Sequence, residues 1–85
     1  MLAQATGEYD EARKLYQQSL KISEELGDKN GMALSLAQMA LLEEKIGHVK
    51  EALRLICLAE ASFRELGSPY SKQAQKDRER LEKNQ

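Results

Sequence analysis

Two stretches share one frame: GEYDEARKLYQQSLKISEELGD at residues 7–28 and GHVKEALRLICLAEASFRELGS at residues 47–68. At an offset of forty, Gly7 falls on Gly47, Glu11-Ala12 on Glu51-Ala52, Leu15 on Leu55, and Glu25-Leu26-Gly27 on Glu65-Leu66-Gly67. Tyr9 and Val49 both follow their glycine by two places. Apart from the glutamates Glu11/Glu51 and Glu25/Glu65, the matched positions are turn residues and apolar residues, and most of the charged filler between them differs. Self-similarity at a period of twenty to fifty residues is the signature of stacked structural repeats.

Each unit holds two helical patterns. From Glu8 to Leu26, residues Tyr9, Ala12, Tyr16, Ser19, Ser23 and Leu26 recur at steps of three and four, with Leu15, Leu20 and Ile22 widening the stripe. Gly7 is expected to precede this helix, leaving residues 1–6 as a stub, and Gly27 to close it in a left-handed cap. Asp28 is expected to cap the next helix, over 28–46, by accepting a backbone hydrogen bond. A third helix should run from His48 to Leu66, and Ser68-Pro69 should open a fourth, with serine as cap and proline in the first turn. No segment alternates as a strand would, and the connections are short enough to force antiparallel neighbours. The expectation is an all-α chain of antiparallel helix-hairpin repeats in one domain. Residues 1–27 form a truncated first repeat, 28–67 a second, and 68–85 a polar C-terminal capping helix.

These residues resemble the tetratricopeptide repeat family, in a variant of about forty-residue period. Gly7-Glu8-Tyr9-Asp10-Glu11-Ala12 and Gly47-His48-Val49-Lys50-Glu51-Ala52 match the family's turn glycine, following hydrophobic residue, acidic residue and small crossing residue. The second small position falls on Ser19 and Ala59, the large residue between on Tyr16 and Ile56, and the bulky–bulky–small spacing of the first helix on Leu36, Met39 and Ala40. The sequence departs from the family in its longer period, in Leu36 at the tryptophan-like position and in Glu43 where an aromatic is usual. The resemblance implies that Gly7, Ala12, Ala40, Gly47, Ala52 and Ala59 are repeat-packing positions. It also implies that helix 28–46 lines a partner-binding groove through Leu34, Ala37, Gln38, Leu41, Glu44 and Lys45. Ala37 and Leu41 stand where relatives that grip chaperone C-termini carry polar residues, which argues against that ligand.

Composition narrows the function. Thirteen basic and fourteen acidic residues give a formal charge of −1, with no general attraction to nucleic acid or anionic membrane. The single cysteine, Cys57, cannot form an internal disulfide, and no secretory leader or membrane span is evident, so a cytoplasmic protein is expected. His48 has no motif partner, and Cys57 reads as a core residue of the third helix. Neither points to catalysis, so an enzyme is not expected, nor a metal or other cofactor. Lys72, Lys76, Arg80 and Lys83 form a basic line on the last helix, broken by acidic neighbours and read as a solvated face.

The expected function is a non-enzymatic protein–protein interaction scaffold that binds a protein or peptide segment in the groove. With the first repeat truncated, Tyr9, Tyr16 and Leu20 are expected to form a self-association face, giving a homodimer. The alternative is a purely structural role, as the C-terminal end of a longer tetratricopeptide regulator or signalling protein.

Overall fold

The computed structural model describes residues 2–84, with side chains from residue 8 onward. Four helices follow one another: α1 Leu2–Leu26, α2 Lys29–Ile46, α3 Val49–Leu66 and α4 Tyr70–Lys83. Packing is between consecutive helices, α1 on α2, α2 on α3 and α3 on α4. The result is a flat slab of 41 × 32 × 16 Å, little thicker than one helix with its side chains.

The turns repeat every twenty residues. Gly27, Gly47 and Gly67 are the positive-φ residues, at 70°, 102° and 68°. After each one, a backbone N–H reaches back to the carbonyl five residues earlier: Asp28 to Ser23, His48 to Glu43 and Ser68 to Phe63, each at 2.8 Å. Glycine takes this left-handed conformation without a Cβ penalty, so the three glycines stop the helices and satisfy their last carbonyls. Asp28 caps α2 as expected, its Oδ1 accepting from Gly31 N–H at 2.9 Å. Pro69 already has helical φ and ψ, and Ser68 Oγ accepts from Tyr70 N–H at 3.2 Å, so serine and proline share the opening of α4 as the sequence implies.

Gly7 corrects the expectation built on Gly47. It lies inside α1, which runs unbroken from Leu2, so there is no stub before it. At Gly47 the chain must turn because α2 and α3 pack on each other. Gly7 is under no such constraint, and residues 2–6 (LAQAT) are compatible with simple propagation of the helix.

The core is a continuous seam. Ala33, Met39 and Ala40 of α2, Ala52, Leu55, Ile56, Ala59 and Phe63 of α3, and Ala74 and Leu81 of α4 are buried together. Small residues lie where helices must approach: Ala40, Ala52 and Ala59 have no exposed surface. Ala12 is half-buried, while Ser19 is exposed, so the second small position of the first hairpin makes no close contact. Leu36 is half-buried beside Met39 and Ala40, as the bulky–bulky–small spacing implies.

Cys57 corrects a second expectation. It is exposed, as is its neighbour Leu58, because α3 buries one side only, through Ala52, Leu55, Ile56, Ala59, Glu60 and Phe63. The apolar run LRLICLAEA is therefore wider than the face it buries.

Candidate functional site: a groove along α2

The six residues assigned to the groove come together. Leu34, Ala37, Gln38 and Leu41 line an open cavity of about 190 Å³, closed on the far side by Phe63, Tyr70, Gln73, Ala74 and Asp77. Gln38, Leu41, Glu44 and Lys45 line a second, of about 180 Å³, with Tyr16 and Leu42. Gln38 and Leu41 belong to both. Positions 34, 37, 38, 41, 44 and 45 recur at steps of three and four, so one face of α2 supplies them, between α1 on one side and α4 on the other. The walls are aliphatic and aromatic with a few polar groups, the usual make-up of a recognition site. Tyr70 is half exposed at the rim and packs on Phe63 with ring centroids 5.6 Å apart.

The residues expected for self-association are arranged differently. Tyr9, Tyr16 and Leu20 are each half-buried, and Tyr16 and Leu20 pack against the core. Among the described side chains, the large apolar ones that α1 leaves in solvent are Leu15, Ile22 and Leu26, the last 76% exposed. They are spaced by seven and four residues and therefore share one flank. The sequence stripe contained all of these residues but not the direction of its partner.

Ion pairs tie the groove walls together, and sequence reasoning missed them. Glu43 is buried at the end of α2, where the family's aromatic would stand, and it joins three segments. Arg13 Nε of α1 lies 2.9 Å from its Oε2, and His48 Nδ1 before α3 lies 2.8 Å from Oε1. Burial disfavours the charged carboxylate, but the hydrogen bonds from Arg13 and His48 outweigh it and hold the Glu43 pKa below its ordinary value. Glu60, also buried, receives Arg64 from its own helix at 2.7 Å and Arg78 from α4 at 2.5 Å. Asp77, which breaks the apolar seam of α4 in sequence, is buried in line with Ala74 and Leu81, and accepts from Gln73 and Arg80. Arg80 also grips Glu44 of α2 through Nε at 2.9 Å and Nη2 at 2.6 Å. That hydrogen-bonded pairing draws the Glu44 carboxyl below, and the Arg80 guanidinium above, their ordinary pKa values. The basic line of α4 is thus not uniform: all four cations are exposed, but Arg80 is committed to α2, while Lys72, Lys76 and Lys83 make no ion pair among the described residues.

A third cavity, of about 230 Å³, lies where the start of α2 meets the end of α3, lined by Lys29, Met32, Leu36, Ser62, Glu65 and Leu66. No sequence signal marked it. Among the described residues no group of His, Cys, Asp or Glu could hold a metal ion, and no helix is long and apolar enough to cross a membrane.

Fold and groove together define a helical-hairpin repeat module, with glycine turns at a regular interval and small residues at the helix crossings. A family profile described as Tetratricopeptide repeat matches residues 1–65. The chain belongs to the tetratricopeptide repeat family, whose members are as a rule non-enzymatic modules that bind proteins or peptides. No curated protein and no solved structure matches it significantly.

Proposed function

We propose that the chain is an interaction scaffold that takes a partner segment in the groove along α2. The observation that carries this reading is the pair of adjoining cavities sharing Gln38 and Leu41, which between them use all six groove residues. The walls come from α1, α2, α3 and α4 and are cross-linked by Arg13–Glu43, Arg78–Glu60 and Arg80–Glu44. A surface held in this way is preformed, so the ordering cost of binding falls mainly on the partner.

Panning a displayed random-peptide library tests the groove. The wild-type chain is expected to enrich a consensus rich in bulky apolar residues. Leu41→Glu places a charge on the wall shared by both cavities and should abolish capture of that consensus with the helical melt intact. Gln38→Trp, at an exposed position, fills the same space and should have the same effect. A consensus captured equally by both variants would place binding elsewhere, and unfolding of Leu41→Glu would make that position core.

Self-association is a second reading, favoured by the exposed flank of Leu15, Ile22 and Leu26. Light scattering across a concentration series should give the mass of a dimer, with a melting temperature that rises with protein concentration. Ile22→Lys should return the chain to a monomer. A wild-type mass equal to one chain at every concentration would remove this reading.

A further inference from the structure

The repeat itself shows what the exposed flank of α1 is shaped to meet. At an offset of forty, Leu15, Ser19, Ile22 and Leu26 correspond to Leu55, Ala59, Ser62 and Leu66 of α3. On α3 these positions meet the helix before it. Leu55 and Ala59 are buried, and Ser62 and Leu66 line a cavity of about 230 Å³ with Met32 and Leu36 of α2. On α1 all four equivalents are exposed. The flank is therefore one half of a helix-packing site whose completed form exists elsewhere in the same molecule.

A second copy offers two helices that could complete it. α4 is the repeat equivalent of α2, but where α2 has Met32 and Leu36 it carries Lys72 and Lys76, both exposed. Burying two unpaired ammonium groups against leucine and isoleucine is costly, which disfavours head-to-tail stacking of α4 on α1. The other helix is α1, whose flank is apolar on both sides of the contact.

We propose that the flank of α1 pairs with the same flank of a second copy, the two helices running antiparallel about a two-fold axis between Ser19 and Ile22. This rests on the self-association reading above. Leu15 then lies opposite Leu26 of the other copy. Ile22 lies opposite its Ser19, where a small side chain lets the helices cross closely. Glu8 and Glu11 are exposed and continue the flank from Leu15 at steps of four and three. A parallel pair would set these acids against their own copies, and the antiparallel pair keeps them apart. A two-fold contact uses both flanks at once and closes at two chains, whereas a head-to-tail contact would grow into an open array. A standard interface buries about 800 Å² on each partner, more than three apolar side chains supply, so this dimer should dissociate on dilution. Leu15, Ile22 and Leu26 line neither groove cavity, so pairing leaves the groove of each copy open.

Cross-linking with a short bismaleimide tests the arrangement, in a Cys57→Ser background because Cys57 is exposed. Ser19→Cys places a thiol beside the axis and should give a covalent dimer at least about tenfold faster than Glu8→Cys or Lys76→Cys, since pairing raises the local thiol concentration. In the antiparallel pair the two Glu8 positions stand roughly 37 Å apart along the helices, beyond the reagent's span. Adding Ile22→Lys should abolish the Ser19→Cys product. Equal yields from Glu8→Cys and Ser19→Cys would overturn the antiparallel axis. A product joining Ser19→Cys to Lys76→Cys in a mixture, or a wild-type mass that climbs past two chains, would overturn the two-fold pairing while leaving self-association in place. A wild-type mass of one chain at every concentration removes the self-association reading and this inference with it.

Discussion

Phe63→Ala is expected to lower the melting temperature by at least roughly 12 °C, from a loss of about 3 kcal/mol at about 4 °C per kcal/mol. Phe63 is the largest side chain with almost no exposed surface. It sits in the last turn of α3, closes one groove cavity and supports the Tyr70 ring. A domain of this length has only about 4–13 kcal/mol of stability in total, so one such cavity removes a large share. The measurement is thermal unfolding followed by far-ultraviolet circular dichroism, alongside tyrosine fluorescence, which is selective because the chain has three tyrosines and no tryptophan. Phe63→Leu should lose much less, because most of the volume stays. Coincident melts for wild type and Phe63→Ala would mean that α4 is not docked on α3, and the α4 wall of the groove would go with it.

What the sequence disclosed about this fold follows from which interactions are local. The helix stops at Gly27, Gly47 and Gly67 and the cap at Asp28 are short-range features, each satisfied within about five residues, and they could be placed to within a residue or two. The buried alanines Ala40, Ala52 and Ala59 were legible from their register, because a small residue at a helix crossing has few other uses. Gly7 looked like Gly47 and behaved differently, since a glycine permits a turn and only packing demands one. Periodicity grouped the apolar residues of α1 but could not orient them. Tyr16 and Leu20 face α2, while Leu15 and Ile22 are left in solvent.

The buried acids were the least legible feature. Glu43, Glu60 and Asp77 are each buried, and the sequence alone did not say what would compensate them. For Glu43 and Glu60 the compensating arginine on a neighbouring helix lies thirty and eighteen positions away, and Arg80 reaches Glu44 across thirty-six. No local pattern announces a partner at that distance. The groove residues were named through the family's geometry, and the structure adds that Glu44 comes already paired, with Arg80, while Lys45 makes no ion pair among the described residues.

Ala52→Leu is expected to cost about 2 kcal/mol or more, because it forces extra methylenes into a contact with no room for them. Ala52 lies in the first turn of α3 with no exposed surface, in one core with Ala40 and Ala59. Helix axes approach to about 8 Å only where side chains this small meet. The larger side chain has to push α2 and α3 apart at the end where Glu43 joins Arg13 and His48, so that network should loosen as well. Intrinsic helix propensity changes little between alanine and leucine, so any large effect is one of packing. Ala61→Leu is the control: it makes the same substitution on an exposed position of the same helix and should melt close to wild type. A large drop for Ala52→Leu beside a negligible one for Ala61→Leu places the close helix crossing at Ala52. Equal melts for the two variants would mean that the hairpin is looser than its alanines imply, and a groove with walls that are not fixed could not offer a partner a preformed surface.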